Sequence, residues 1–322
     1  MGAYDIVGDV HGYADKLEGL LKALGYKDHD GTFRRAGSQV IFVGDLIDRG
    51  PQQVDTVNLV RSMVDAGTAQ IVMGNHEFNA ISYATENPDR PGDFMRSHEG
   101  EKGQTHQQDH KEFLEEFRFG SARHREVLSW FRTMPLWLSL DEIRIVHACW
   151  HEPSLHALRQ ALAASNGLSD EFIIEASTKG SGAHGLIETT LKGPELHLSD
   201  YGAPPFRDKG MRLRYDARIR WWDDRATTLR EVAEIQLGAL GEDMEPYPQL
   251  SRTPCDKSEA LRYDDAVPVY FGHYWRSGAP TLAGTRTICV DYSAGSKAES
   301  LVAYRYEGSG DLSDENFVAF PG

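Results

Sequence analysis

Gly8-Asp9-Val10-His11-Gly12, Gly44-Asp45-Leu46-Ile47-Asp48-Arg49-Gly50 and Gly74-Asn75-His76-Glu77 are the strings that decide the fold of this 322-residue chain. Each follows a short apolar run, over residues 3–7, 40–43 and 70–73. Each breaks on a glycine and then offers carboxylate, amide or imidazole groups. Between them, residues 14–24 carry Leu17, Leu20, Leu21 and Leu24 at helical spacing and stop at Gly25. A polar loop is expected over residues 27–38. Pro51 suits the first turn of a helix running to about residue 66, and Gly67 ends it. The pattern is β-α-β-α-β, which predicts parallel strands joined by crossover helices. In such sheets, sites form at the carboxyl ends of the strands.

Composition sets the background. Hydrophobic residues make up 40% and charged residues 26%, so a packed core is affordable and membrane or disordered classes are disfavoured. The net charge of −15 argues against nucleic acid as the main partner and against an anionic membrane surface. An anionic substrate stays open, because bound cations dominate a local field. Cys149, Cys255 and Cys289 are scattered and imply neither a disulfide framework nor a thiolate zinc site. The first residues show no basic stretch or long apolar run, so the expected location is cytoplasmic. Oligomeric state is left open.

Farther along, residues 87–125 are polar and His-rich and read as a mostly helical insertion. Residues 127–140 are apolar around Pro135, and residues 143–146 read as a strand ending on His147. Residues 151–265 are expected to form a large insertion or cap. They hold a Gly-rich stretch at 179–185, a basic aromatic patch at 212–225 and a polar run at 242–257. Strands return over residues 267–271, 287–290 and 301–306. The division expected is therefore 1–150 as first part of the core, 151–265 as insertion, and 266–322 as the closing strands of the core. Those later strands are expected to build a second sheet.

Asp9, His11, Asp45, Asn75, His147 and His273 all stand at or just past strand ends. A mixed oxygen and imidazole set without thiolate suits Mn²⁺, Fe or Zn²⁺. Six such groups exceed the needs of one tetrahedral ion, and two ions sharing a carboxylate fit better.

The three strings resemble the signature blocks of the calcineurin-like metallophosphoesterases. The Asp-Arg-Gly ending resembles the phosphoprotein phosphatase branch, which includes symmetrical diadenosine tetraphosphatase-like proteins. Val146-His147-Ala148-Cys149 and Phe271-Gly272-His273-Tyr274 resemble the later blocks. The resemblance implies an α/β fold, specifically a four-layer α/β/β/α sandwich with a large inserted cap. It implies one metal on Asp9, His11 and Asp45, and a second on Asp45, Asn75, His147 and His273, with manganese favoured and iron or zinc allowed. It makes Arg49 the phosphoryl-binding residue, with Asn75 beside it, and His76 the acid, oriented by Asp48. A hydroxide bridging the two ions would attack phosphorus.

Substrate choice lies in loops and caps. A phosphomonoester, such as phosphoserine or phosphothreonine in a protein, is the leading expectation. A dinucleoside polyphosphate is the alternative, and an inactive metal-binding scaffold a third. Arg220, with Trp221 and Trp222, is a candidate substrate rim, a cap core being equally open. His98, His106 and His110 read best as a solvated helix face, and Asp93, Glu99 and Glu101 as solvated charge. Cys149 reads as an inert buried thiol. Asp291 reads either as support for a ligand histidine or as a turn residue. Glu77 is expected to cap a helix or to support the ligands from behind.

Overall fold

The computed structural model describes residues 2–208, 210–236, 238–256, 261–308 and 312–322. They divide into two compact units. One is built from the chain up to Lys192 with Val267–Leu282 and Thr287–Gly322, the other from Gly193–Ala266 and Ala283–Arg286.

The first unit opens with β1 (Ala3–Val7), α1 (Ala14–Ala23), a small hairpin of β2 (Lys27–His29) and β3 (Thr32–Arg34), β4 (Ser38–Phe42), α2 (Gln53–Asp65), β5 (Ala69–Ile71) and α3 (Asn75–Ala84). The polar stretch carries α4 (Gly100–Asp109), α5 (Lys111–Glu116) and α6 (Ala122–Phe131). Then come β6 (Trp137–Ser139), β7 (Arg144–Val146), α7 (Glu152–Ala164), α8 (Asp170–Ser177) and α9 (Gly182–Lys192). The second unit contains β8 (Glu195–His197), β9 (Phe206–Arg207), β10 (Leu213–Arg214), β11 (Asp216–Ile219), α10 (Leu229–Val232), β12 (Ala233–Glu234) and β13 (Leu240–Gly241). The chain returns to the first unit with β14 (Val269–Phe271), β15 (Thr287–Cys289), β16 (Leu301–Tyr306) and β17 (Phe317–Phe320).

The fold is mixed α/β. The order β17-β16-β1-β4-β5 defines a five-stranded sheet, with β1, β4 and β5 parallel as the spacing predicted. A four-stranded sheet runs β15-β14-β7-β6. Alternation along the strands sorts the side chains into two cores, as a period of two requires. Val7, Val40, Phe42, Leu301 and Ala303 pack with the helices. Ile6, Ile41, Val43, Tyr304 and Tyr306 pack with Ile145, Tyr270 and Ile288 from the other sheet.

One expectation is corrected. Residues 301–306 do not join the second sheet; β16 lies antiparallel to β1, with Tyr4 opposite Tyr306 and Asp5 opposite Arg305. The fully buried Asp5 explains it: Arg305 Nε donates to its Oδ1 at 2.8 Å, and Tyr26 Oη to its Oδ2 at 3.0 Å. A buried carboxylate needs such partners, and only this pairing brings Arg305 to it.

Local differences also have reasons. The first strand ends at Val7, with the apolar run, and beyond it the N–H groups of Val10 and His11 both donate to the Asp45 carbonyl. α2 begins two residues after Pro51, where Glu116 accepts from the N–H groups of Gln53 and Val54 at 3.0 and 2.9 Å and caps the helix. α7, α8 and α9 bury Leu158, Phe172, Ile173, Ile187 and Leu191 in the helix-side core of the first unit, so residues 151–192 pack there. The second unit has its own core, around Leu196, Ala217, Ile219, Leu229 and Val232. Of the polar run at 242–257, residue 257 lies outside the described residues.

Candidate metal centre

The loops after β1, β4 and β5 bring the three signature strings together. The Asp45 carbonyl accepts from Val10 and His11, and the His11 carbonyl accepts from Gly50 at 2.9 Å. Glu77, fully buried on α3, joins the second string to the third: its carboxylate accepts from the N–H groups of Asp45, Leu46 and Gly74 at 2.9, 2.8 and 3.0 Å. It both caps the helix and holds from behind the backbone of the candidate ligand Asp45 and of Gly74, beside the candidate ligand Asn75. Burial and the Asp45 charge push its carboxyl up to about 7. Asp45 Oδ1 accepts from the His76 N–H at 2.9 Å, in the first turn of α3, where a helix favours an anion.

Two three-way clusters of potential ligand atoms result. One joins His11, Asp45 and His76; the other joins Asp45, His147 and His273. Asp45 is common to both. Its Oδ2 lies 3.4 Å from His147 Nε2 and 3.8 Å from His11 Nε2. Asn75 Oδ1 is 3.1 Å from His147 Nε2. Asp9 falls in neither cluster but adjoins the second, its Oδ2 accepting from the His273 N–H at 3.0 Å. His76, expected only as the acid, stands among the first group.

The imidazole orientations suit cation binding. His11 Nδ1 donates to the Ile47 carbonyl at 2.9 Å, and His147 Nδ1 to the Val43 carbonyl at 2.8 Å. Both rings therefore turn Nε2 inward, toward Asp45, which is how a ligating histidine is usually held. Asp9 Oδ1 and His11 Nε2 are buried without a hydrogen-bond partner among the described residues. Glycines make the space: a Cβ on Gly272 would lie 2.1 Å from Asp9 Oδ1, and one on Gly74 2.2 Å from Asp45 Oδ1.

Electrostatics point the same way. Burial, then the charges of Asp291 and Asp45, push Asp9 well above the usual carboxylate range. Burial would also raise Asp45, but the imidazoles of His147 and His76 outweigh it and hold Asp45 well down. Burial pushes His11 well below its usual value. For His147 the Asp45 carboxylate overcomes burial and raises it. Crowded buried carboxylates that recruit protons are what a cation would relieve.

Around the centre, His76 Nδ1 sits 2.5 Å from Asp48 Oδ2, the pairing the resemblance implied. Arg49 is exposed, its guanidinium 3.7 Å above the Trp275 ring. Trp275 went unnoticed in the sequence, although it stands two residues past His273. Asp291 accepts from the N–H groups of Trp275 and Ser293 at 2.7 and 2.9 Å, so it is a turn residue that fixes the Trp275 loop. Arg220 lies in the second unit, ion-paired with Glu234. Trp221 and Trp222 are buried there, as a core reading required.

The solvated-face reading of the histidine segment is overturned. His110 is buried with Nδ1 2.7 Å from Asp48 Oδ1, and His98 is stacked between Tyr83 and Phe94. Asp93 is buried as well. Burial would raise it, but the His98 N–H and the Ser97 hydroxyl hold it down at about 2. Cys149 is buried and its thiol pushed well up, an inert thiol as expected.

Residues 4–205 match the family model described as calcineurin-like phosphoesterase, and the chain belongs to that family. That family is the one the resemblance implied. The asymmetrical bis(5'-nucleosyl)-tetraphosphatase PrpE of Oceanobacillus iheyensis is 44% identical over 73 residues, 22% of this chain and 29% of that protein. The chain thus spans under a third of that relative's length. A symmetrical bis(5'-nucleosyl)-tetraphosphatase of Psychromonas ingrahamii is 29% identical over 293 residues, 88% of this chain and 84% of that one. A solved serine/threonine phosphatase of Saccharomyces cerevisiae, with similarity to human phosphatase PP5, is 15% identical at a TM-score of 0.49, covering 100% of this chain and 80% of that one. Among the described residues, no helix is long and apolar enough to cross a membrane.

Proposed function

We propose that this chain is a phosphoesterase working with two divalent cations. Asp9, His11 and Asp45 would hold one; Asp45, Asn75, His147 and His273 would hold the other. Manganese is the first candidate, with iron or zinc next. The observation that carries this reading is the buried Asp45 carboxylate common to two clusters of potential ligands, beside an Asp9 oxygen with no hydrogen-bond partner among the described residues. Such ions ionise water near neutral pH and draw charge from phosphoryl oxygens.

The chain's own groups do the rest. The exposed Arg49 guanidinium, braced on Trp275, keeps its N–H edge for two phosphoryl oxygens. His76 gives its Nδ1–H to Asp48 and turns Nε2 toward the Asp45 side of the centre, 3.8 Å from Oδ2. Burial lowers His76, but Asp45 and Asp48 outweigh it and favour the protonated ring. A protonated Nε2 can pass its proton to a departing oxygen, leaving the ring held by Asp48. The two sheets with their flanking helices would be the four-layer sandwich, and the second unit the inserted segment.

For the substrate, we favour a dinucleoside polyphosphate over a phosphomonoester. The support is the relative named a symmetrical bis(5'-nucleosyl)-tetraphosphatase, which aligns with 88% of this chain. The test is chelated protein, reloaded with Mn²⁺ and offered diadenosine tetraphosphate, phosphopeptides and an aryl phosphate. Diadenosine tetraphosphate should give the highest kcat/KM. Preference for phosphopeptides would move the substrate to phosphomonoesters, and no turnover with any metal would leave a scaffold.

A further inference from the structure

His110 stands at the junction of α4 and α5, in the polar segment between the third signature string and β6. It is 3% exposed, and its Nδ1 lies 2.7 Å from Asp48 Oδ1. The other Asp48 oxygen, Oδ2, lies 2.5 Å from His76 Nδ1. Burial would raise Asp48, but the imidazoles of His110 and His76 outweigh it and hold the carboxyl far below its usual range. An ionised carboxylate only accepts, so both rings donate through Nδ1–H. His110 Nε2 has no hydrogen-bond partner among the described residues. The ring is stacked on Phe113 at 4.6 Å and tilted against Tyr83 at 5.4 Å. Asp48 is thus its polar contact, and aromatic packing fixes the direction from which that contact is made.

The same segment grips the Asp48 turn a second time. Glu116 accepts from the N–H groups of Gln53 and Val54, and Gln53 Oε1 accepts from the Asp48 N–H at 2.8 Å. Asp48 and Arg49 both have positive φ, 69° and 70°, so this turn needs external support. A carboxylate tied at one oxygen keeps a broad terminal torsion. Tied at both, it presents Oδ2 in one orientation.

We propose that His110 is a positioning residue for His76: by tethering Asp48 Oδ1 it fixes the carboxylate that aims the His76 ring. For its effect on turnover this rests on the phosphoesterase reading above. The geometric half does not, so the test has two arms. In the first, wild type and His110→Phe are compared on an aryl phosphate with a good leaving group and on an alkyl phosphate with a poor one. If His76 supplies the proton, kcat on the poor leaving group should fall about 10–100-fold, and on the good one less than about threefold. His110→Asn, whose amide nitrogen reaches toward the Nδ1 position, should recover most of the loss. His76→Asn combined with His110→Phe should be no slower than His76→Asn alone. Equal losses on both substrates, no recovery by Asn, or an additive double variant would overturn the proposal. The second arm reads imidazole protons by NMR, without turnover. The slowly exchanging His76 Nδ1–H resonance should be present in wild type and in His110→Asn. In His110→Phe it should be broadened or lost, with other core amides unchanged. An unchanged resonance in His110→Phe would refute the tether even if the protein hydrolysed nothing. If Phe prevents folding, His110→Gln, an amide one methylene longer, replaces it and should behave as the damaged variant.

Discussion

Gly295→Ala is the sharpest probe of how the centre is built. A Cβ at this position would lie 2.8 Å from His11 Cδ2, 3.2 Å from His11 Cγ and 2.6 Å from Arg49 Cδ. Reaching an ordinary contact would require the ring to retreat by about 0.6 Å and Cδ by about 0.8 Å. Arg49 is exposed and can slide, although it gives up part of its stack on Trp275. His11 cannot, being 2% exposed and tied by Nδ1 to the Ile47 carbonyl. The loop cannot easily withdraw either. Lys16 Nζ, on α1, donates to the carbonyls of Ala294, Ser296 and Glu299 at 3.1, 2.8 and 2.8 Å, and so pins both sides of Gly295. Overpacking of this kind costs about 1–3 kcal/mol, or about 2–10 °C in Tm for a unit of this size. If His11 is a metal ligand and Arg49 the phosphoryl-binding residue, as proposed, a displacement of more than half an ångström in both should lower kcat/KM about 10–100-fold. The assays are thermal unfolding, metal content by elemental analysis, and hydrolysis of an aryl phosphate with inorganic phosphate as inhibitor. Coupling is the decisive part. Lys16→Met frees the loop, so the double variant should lose less activity than the two single losses combined. A Gly295→Ala protein with wild-type metal content, Tm and kcat/KM would refute the reasoning, as would strict additivity with Lys16→Met.

Three further outcomes are expected. Lys16→Met alone should destabilise by about 2–4 kcal/mol in urea unfolding, since it strips a cation from three carbonyls. Asp45→Asn should abolish tight retention of both ions; two ions per chain by elemental analysis would contradict the shared-ligand assignment. Burial, helped by His110 and Arg125, lowers His124 to about 4. The unfolded ring binds a proton below about pH 6.5 while the folded one resists it, so this group's contribution to stability is lost as pH falls from 6.5 toward 4. That contribution is about 2–3 kcal/mol, and in His124→Leu the drop in urea midpoint between pH 7 and pH 4.5 should be correspondingly smaller.

The half of the candidate centre near the start of the chain was legible because each candidate ligand sits where an apolar run meets a glycine. That pattern marks a buried strand end, and order along the chain follows from crossover connections. His273 was legible for the same reason, with Gly272 before it; His147 was legible only as the residue that ends the run over 143–146. What pairs with what across long separations was not. Residues 301–306 read plainly as a strand, but their sheet depends on Arg305 meeting Asp5, 300 residues away. His110 and Asp48 are 62 residues apart, and in a polar helical segment a histidine meant for burial looks like its solvated neighbours. Lys16 was hidden for the opposite reason: a lysine beside Leu17 on an amphipathic helix reads as surface, yet it is 4% exposed because carbonyls from the loop before β16 converge on it. Trp275 is legible only after Arg49 is known to stack on its ring.

The backbone explains why so many of these supports are buried side chains rather than more secondary structure. His11, Asp45, Asp48, Arg49, His273 and Trp275 all adopt positive φ, between 49° and 72°. Outside glycine this region costs roughly 1 kcal/mol or more per residue, so six such residues at one site must be over-determined by their surroundings. A regular ladder cannot do this, because the residues have left the β region. The holding groups therefore come from side chains behind the loops, two of them on helices and one, Asp291, in the turn after β15. Glu77 on α3 takes the N–H groups of Asp45 and Leu46, Gln53 on α2 takes that of Asp48, and Asp291 takes that of Trp275. Each is a side-chain acceptor that a strained turn can reach and a strand cannot supply. The left-handed turns in exchange point several side chains from neighbouring loops into one small volume, which a set of extended strand ends would leave splayed. The helices that cover the sheet are thus also part of the frame on which the geometry of the candidate site is stretched.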